Sequence, residues 1–307
     1  MPSLRQNNCN MSKIYGFGNA LIDIEIHINE DQLRATGIPK GGMKHINGDQ
    51  KEDFLKLYKD NIKSKNPGGS IANSLHAAEN YGASTYFSCS LGDDEYGNLF
   101  LKSYEDKNKI IFDYSNEPTG VCLVFITPDG ERTMASNLSA NYKLSKNSID
   151  LNHLKTSEYL LFDNFSLATD AGNQTVDYCL KESDSKVKVC FGLADSKLIL
   201  ENLQKIRNLN SKNIYCLSGN EFEHNELDSR FTLNHQKRLI SYGKSGASIN
   251  GININAPNIE LVNTNGAGDS LLGVYIALED KMTEQEALKE AVNYSSKVCE
   301  VNGPRLT

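Results

Sequence analysis

Apolar and polar positions along this chain follow two periods. The stretch "KIYGFGNALIDIEIHI" (13–28) crowds β-branched and apolar residues with the two-residue alternation of a strand, enough for one or two strands. "EDQLRATGI" follows as a short helix ending at Gly37, and "GGMKHIN" as a candidate strand. In "GDQKEDFLKLYKDNI", Phe54, Leu55, Tyr58 and Ile62 recur at helical spacing. "NPGGS" breaks the chain, and "IANSLHAAENYG" reads as a small-residue helix stopped at Gly82. "STYFSCSLG" predicts a strand and "DEYGNLFLKSYEDK" a helix. Two further strand-like runs, "TGVCLVFITPDG" and "ERTMASNL", are joined by the turn Pro128-Asp129-Gly130.

From about residue 156 the alternation is strict. "SEYLLFDNF", "KVKVCFGLA" and "NIYCLSGN" read as strands, separated by the helical runs "GNQTVDYCLKES" and "SKLILENLQKI". "HQKRLISYGKSGASI" and "NIELVN" add strands, and two helices close the chain. Alternating strands and helices imply an α/β fold: a parallel sheet covered on both faces, with right-handed crossovers. Segments 24–47 and 109–137 break the rhythm, with strands that lack long intervening helices. They are expected to form a separate small antiparallel sheet. The core is then 11–23, 48–108 and 138–307, and residues 1–10 read as a disordered leader, with Met11 as an alternative start.

Composition narrows the function classes. The chain has 307 residues, 39% apolar and 23% charged, which suits one large soluble domain or one with an appendage. A net charge of −7 argues against a nucleic-acid or anionic-membrane partner. No apolar run approaches the length of a membrane span, and the N-terminus has no secretory h-region. The seven cysteines are scattered, odd in number and never spaced C-x-x-C, which reads as reduced thiols in a cytoplasmic protein. The six histidines form no zinc pattern.

The chemistry concentrates in "LVNTNGAGDSLLG" (261–273). "IELV" predicts a strand and "SLLGVYIALE" a helix, so Gly266, Ala267 and Gly268 fall at a helix N-terminus. There the first backbone N–H groups lack partners and the dipole is positive. Stripping the side chains lets a phosphate approach those donors. Asp269 beside an anion is electrostatically awkward unless it accepts the proton of a hydroxyl that attacks the phosphate. Asp269 as a plain N-cap is the other reading. "GKS" (243–245) fails the Walker spacing, and "GFGNAL" (16–21) lacks the third glycine of a dinucleotide fingerprint, which removes an NAD-linked oxidoreductase. A second pair, Gly68-Gly69, precedes a helix carrying Ser70 and Asn73. It suits either a hinge beside sugar hydroxyls or an ordinary helix start.

With both glycine pairs in place, the chain resembles the ribokinase-like (PfkB) family of carbohydrate and nucleoside kinases. The N-terminal signature matches "GGSIANSLHAAENYGASTYFSCSLGDDEYG" (68–97), and the C-terminal one matches "NTNGAGDSLLG" (263–273). "GNALIDI", "PTGVCLVFIT", "GNEFE", "SYGKSGA" and "NGPRL" fall in family order, so the resemblance spans everything after Met11. "PTGVCLVFITPDGERTMASNLSAN" is most similar to adenosine kinases and related bacterial sugar kinases. The resemblance implies a ribokinase-like Rossmann-type parallel sheet core with a small antiparallel β-sheet lid formed by 24–47 and 109–137. It implies an ATP-dependent kinase that phosphorylates the primary hydroxyl of a sugar or nucleoside, adenosine or a ribose-like furanose. A non-catalytic sugar- or nucleoside-binding protein on the same fold is the alternative.

The resemblance also implies roles residue by residue. Asp269 is the catalytic base, and Gly266, Ala267 and Gly268 form the anion hole. Asp23 binds a pair of ring hydroxyls, with Gly68, Gly69 and Asn73 completing the acceptor pocket. Asn220 and Glu223 match the N-x-x-E element that orients Mg²⁺ and phosphates through water. Ser241, Gly243 and Gly246 match the nucleotide-side loop, and Asn265 is grouped with the ATP site. Arg132 reads either as a phosphate contact or as a solvated hairpin arginine, and Phe165 either as a purine contact or as a core residue. ATP and Mg²⁺ are the implied cofactors, and some family members add K⁺. Where the family usually begins the motif with Asp, this chain has Asn263, which predicts weakened activation by a monovalent cation. Exposed edges of such a lid can pair between copies, so a homodimer through the lid fits the pattern.

Overall fold

The computed structural model describes residues 11–306, so the expected leader lies outside the described residues. In chain order the strands of the first half are β1 Lys13–Phe17, β2 Leu21–His27, β3 Met43–His45, β4 Ile62–Gly68, β5 Ser84–Gly92, β6 Ile110–Ser115 and β7 Gly120–Ile126. They are followed by β8 Arg132–Asn137, β9 Tyr159–Asp163, β10 Lys188–Gly192, β11 Ile214–Asn220, β12 His235–Ser241, β13 Ala247–Ile249 and β14 Ile252–Ile254. Nine of them form one sheet in the order β14-β13-β12-β11-β10-β9-β1-β5-β6, and five form a second in the order β3-β8-β7-β2-β4. The large sheet is parallel from β6 to β12 and antiparallel only at the β12-β13-β14 end.

Both faces of the large sheet are covered, as its apolar strands require. Strand β9, "YLLFD", is buried at every position. Its Tyr159 and Leu161 join one apolar cluster, whereas Leu160 and Phe162 join the other. The first cluster packs on helices Ser70–Glu79, Ala267–Leu278 and Glu284–Val298 and reaches into the small sheet. The second packs on the helices between residues 151 and 228. The six described cysteines are free and buried.

Several sequence expectations change. Residues 258–263, including the expected strand "IELV", form no strand; Leu261 and Val262 are exposed. That loop is instead pinned to a helix end, where the Val262 and Asn263 N–H groups donate to the Cys299 carbonyl at 2.9 and 3.2 Å. Strand β6 lies inside the segment assigned to the small sheet, yet it pairs with β5 as the edge of the large one. Strand β4 lies inside the segment assigned to the core, yet it pairs with β2 in the small sheet. Its mostly polar sequence "IKSKNPG" hides the strand because β4 is a half-exposed edge. The small sheet is mixed: β2 pairs with β7, and β3 with β8, in parallel. Strands β2 and β7 each leave the end of a large-sheet strand, β1 and β6, and so run in the same direction. Asn141 clamps one of these exits, accepting from the Ala20 N–H at 2.7 Å and donating to its carbonyl at 3.1 Å.

Candidate active site

Helix Ala267–Leu278 begins at Gly266, whose φ of +73° is left-handed and which offers no side-chain cap, so that the Ala267 N–H has only a long bond of 3.4 Å to the Thr264 carbonyl. A Cβ at Gly266 would stand 2.1 Å from the Pro304 carbonyl oxygen. A Cβ at Gly268 would meet nothing within 4 Å. The two glycines therefore do different work. Gly266 permits a turn and a tight contact, and Gly268 leaves open space in front of uncapped donors. Such a space suits an anion. Asp269 is inside the first turn and is not the N-cap.

Two side chains from helix Ser70–Glu79 hold Asp269. Ser70 Oγ donates to Oδ1 at 2.7 Å, and Asn73 Nδ2 donates to Oδ2 at 2.9 Å. The helices cross closely because residue 273 is glycine: a Cβ there would stand 1.9 Å from the Ser74 carbonyl oxygen. Burial raises the Asp269 carboxyl above its ordinary value, while the two hydrogen bonds and the Arg305 charge pull it back.

Asp23, on β2, is buried and pushed up to about 6, chiefly by desolvation. The Asn265 amide, donating to Oδ2 at 2.7 Å, and the Arg305 charge act against that rise. Gly68 makes room for this carboxylate, since a Cβ would stand 2.5 Å from Oδ2. Gly69 has φ of +103°, and a Cβ there would stand 2.1 Å from the Asn19 carbonyl oxygen. Asp23, Gly68, Gly69, Asn73 and Asp269 thus converge. Asn265, grouped from sequence with the ATP site, has its side chain on Asp23 instead. Arg132, at the start of β8, reaches across to Thr264: its Nη2 donates to Oγ1 at 2.5 Å, and its Nη1 is sequestered without a partner among the described residues. It is no solvated hairpin arginine.

Asn220 and Ser241 are register partners at the carboxyl ends of the adjacent parallel strands β11 and β12. Asn220 caps helix Glu221–Asp228 with a reciprocal box: its Oδ1 accepts from the Glu223 N–H at 2.9 Å, and its N–H donates to Glu223 Oε2 at 2.9 Å. Burial pushes Glu223 up to about 7, with the charges of Asp195 and Asp269 adding to the rise. Beyond β12, Gly243 has φ of +55° with open space around it, and Gly246 packs against the Ile254 carbonyl. Phe165 lies in the turn after β9, half-buried and outside both apolar clusters, so it is not a core residue.

Four contributors escaped the sequence reading as site residues. Ser70 stands in the sequence reading only as part of the helix start after Gly68-Gly69, with no role of its own. Asp163, at the end of β9, is buried, caps the following turn through Ser166 N–H and is pushed up to about 7 by burial. Glu25 faces the site from β2 and accepts from the Ser64 hydroxyl at 2.8 Å. Arg305 donates from Nε to Asn73 Oδ1 at 2.8 Å. Its only sequence signal is the ending "NGPRL". Asn263 uses both ends of its amide: Oδ1 accepts from the Asn265 N–H at 2.7 Å, and Nδ2 donates to the Val301 carbonyl at 2.5 Å. An aspartate could make only the first of these bonds. Among the described residues no group of three His, Cys, Asp or Glu side chains is placed to hold a metal, and no helix is long and apolar enough to cross a membrane.

Comparison with known proteins bears on the family and the fold. The model of the pfkB family carbohydrate kinases matches residues 49–307. A ribokinase of Dictyostelium discoideum is 23% identical over 273 residues, covering 78% of this chain and 84% of the relative. Adenosine kinase 1 of Arabidopsis thaliana is 30% identical over 156 residues, covering 47% and 42%. A probable sugar kinase from Rhizobium etli CFN 42 superposes with a TM-score of 0.88 at 19% identity, over 96% of each chain. The adenosine kinase from Sinorhizobium meliloti gives 0.84 at 19% identity, also over 96% of each. The family's chemistry is ATP-dependent phosphoryl transfer to an alcohol, and the chain belongs to the pfkB family of carbohydrate kinases.

Proposed function

We propose that the protein transfers the γ-phosphoryl group of ATP to the primary hydroxyl of a ribose-like furanose, either the free sugar or adenosine. The observation that carries this reading is the placement of Asp269. It lies one residue beyond the open cradle at Gly268, fixed by Ser70 and Asn73, within electrostatic reach of Asp23. Asp269 takes the proton of the attacking hydroxyl, and the N–H groups of Gly266, Ala267 and Gly268 hold the transferring group as charge builds on its oxygens. Asp23 accepts from two ring hydroxyls at once, which favours a vicinal diol. Asn220, Ser241, Gly243 and Gly246 line the nucleotide side, and Phe165 offers a half-buried ring to a purine.

Magnesium fits this site only through water. Both oxygens of Glu223 already accept from Asn220, at 2.9 Å from its N–H and 2.8 Å from its Nδ2, which leaves lone pairs for a hydrated ion. Bound with ATP, the ion would offset phosphate charge. The small sheet acts as the lid. It carries both Asp23 and Arg132, so its closure brings acceptor-binding and phosphate-binding groups over Asp269 and excludes water.

ADP release with MgATP, measured against adenosine, ribose, fructose and other nucleosides and sugars, tests the reading. Turnover on one acceptor is expected, with kcat falling about 10³-fold in Asp269→Asn. Full activity in that variant would remove Asp269 as the base, and acceptor binding without turnover would make the protein a binder. In the same assay Na⁺ and K⁺ are expected to give equal rates, because the Asn263 amide is already committed to backbone groups on both sides. A saturable K⁺ requirement would overturn that part.

A further inference from the structure

The segment Asn302–Leu306 has no regular secondary structure, yet it is tied to the site along its length. The Gly303 N–H donates to Glu25 Oε1 at 3.2 Å. The Pro304 carbonyl occupies the space that a side chain at Gly266 would need. The Leu306 carbonyl pairs with His76 Nε2 at 2.8 Å. Between them, Arg305 points along helix Ser70–Glu79. Its guanidinium lies 5.9 Å from the Phe100 ring, Nε donates to Asn73 Oδ1, and Nη2 is shielded from solvent without a partner among the described residues.

The bond to Asn73 decides the orientation of that amide. An asparagine amide presents a carbonyl on one side and an NH₂ on the other, and a half-turn exchanges them. A guanidinium donor on Oδ1 holds the NH₂ toward Asp269. Without it, the amide is free to flip and present its carbonyl to a carboxylate, which repels it. The charge matters separately. Arg305 faces Asp23 from β2, Asp269 from helix Ala267–Leu278, His76 and Glu79 from helix Ser70–Glu79, and Tyr104 beyond helix Glu95–Lys102. Asp269 is also faced by Asp163 from β9 and Glu223 from helix Glu221–Asp228. Arg132 from β8 faces Asp23. Asp269 thus lies within electrostatic reach of Asp23, Asp163 and Glu223, Glu25 faces the same site from β2, and two guanidinium groups offset these acids.

We propose that Arg305 is a positioning residue for phosphoryl transfer: it locks the Asn73 amide toward Asp269, and its charge allows Asp23 and Asp269 to be ionised together. The proposal rests on Asp269 being the base, and the test separates the two. The full chain is labelled with ¹³Cγ-aspartate, the Asp269 resonance is assigned by its loss in Asp269→Asn, and its pH titration is followed. In Arg305→Met the midpoint is expected to rise by about one pH unit, and in Arg305→Lys to return most of the way. At a pH below both midpoints, kcat/KM for the accepted sugar or nucleoside then falls about tenfold in Arg305→Met, and the loss shrinks as pH rises. A purely structural role would lower activity equally at every pH. Arg305→Gln, which keeps a donor without the charge, carries the same measurement if the Met variant does not fold. An unchanged midpoint in a folded neutral variant overturns the proposal. Full turnover in Asp269→Asn overturns the base assignment instead, while the NMR titration still decides whether Arg305 acts on that carboxylate.

Discussion

Asp163 shows how a single buried acid ties this site to stability. It is fully enclosed at the end of β9 and accepts from Ser166, but among the described residues no cation pairs with it. Burial raises its carboxyl to about 7, far above its unfolded value. The native state therefore binds a proton that the unfolded chain has already released, and this acid's contribution is lost as pH rises through 7. Asp23 and Glu223 act in the same direction, whereas His224, buried and held down to about 4, acts in the opposite one. Asp163→Asn isolates the effect, since the amide oxygen can still accept from Ser166. Relative to the wild type, its Tm is expected to be higher at pH 8 than at pH 5. Thermal unfolding at the two pH values checks this, and an equal offset at both would show that Asp163 is ionised throughout.

The helix pair Ser70–Glu79 and Ala267–Leu278 is the element that brings Asp269, the proposed base, together with its two donors. The close crossing depends on Gly273, and the open cradle depends on Gly268. Alanine at each position separates packing from chemistry. Gly273→Ala places a Cβ on the Ser74 carbonyl and forces the helices apart, at a cost of about 1–3 kcal/mol, with longer bonds from Ser70 and Asn73 to Asp269. Its urea midpoint and its kcat are expected to fall together. Gly268→Ala meets no protein atom, and alanine is the better helix former. It is expected to keep full stability and lose turnover, because the methyl group enters the anion cradle. Retained turnover in Gly268→Ala would place the transferring phosphoryl group elsewhere.

Across the whole molecule, the same helix is anchored at its far end by a buried ionic network. The Glu279 side chain is fully enclosed, accepts from the Tyr159 and Tyr215 hydroxyls at 2.5 and 2.7 Å, and pairs with Lys237 at 2.7 Å and Lys188 at 3.4 Å. Lys188 and Lys237 also reach Asp280 and Glu284, both at 2.8 Å. Strands β9 to β12 and the helix carrying Asp269 are thereby joined below the sheet, opposite the site. Glu279→Leu leaves two lysines and two hydroxyls short of a partner inside the protein. A loss of about 3 kcal/mol is expected, because removing one member of a buried ion pair strands the other. Urea unfolding with an unchanged m-value measures it, and kcat per folded molecule is expected to stay near wild type. A stability change near zero would mean that the remaining pairs to Asp280 and Glu284 suffice.

Local pattern determined much of this protein. Apolar alternation was enough for the strands and helices of the large sheet's interior, β1, β5 and β9 to β12. The glycine-rich "NGAGD" and "NPGGS" located the cradle and Asp269, because uncapped helix starts and left-handed backbone are local requirements that few residues meet. Tertiary structure alone decided what depends on distant partners. The half-exposed edge β4 carries little apolar signal, and "IELV" has a strand's composition but is pinned to a helix end instead. Asn265 belongs to Asp23, 242 positions away, and Arg132 reaches Thr264, 132 positions away. Arg305 meets Asn73 across 232 positions. Periodicity records which face of an element is buried; it carries no record of which other element that face will meet.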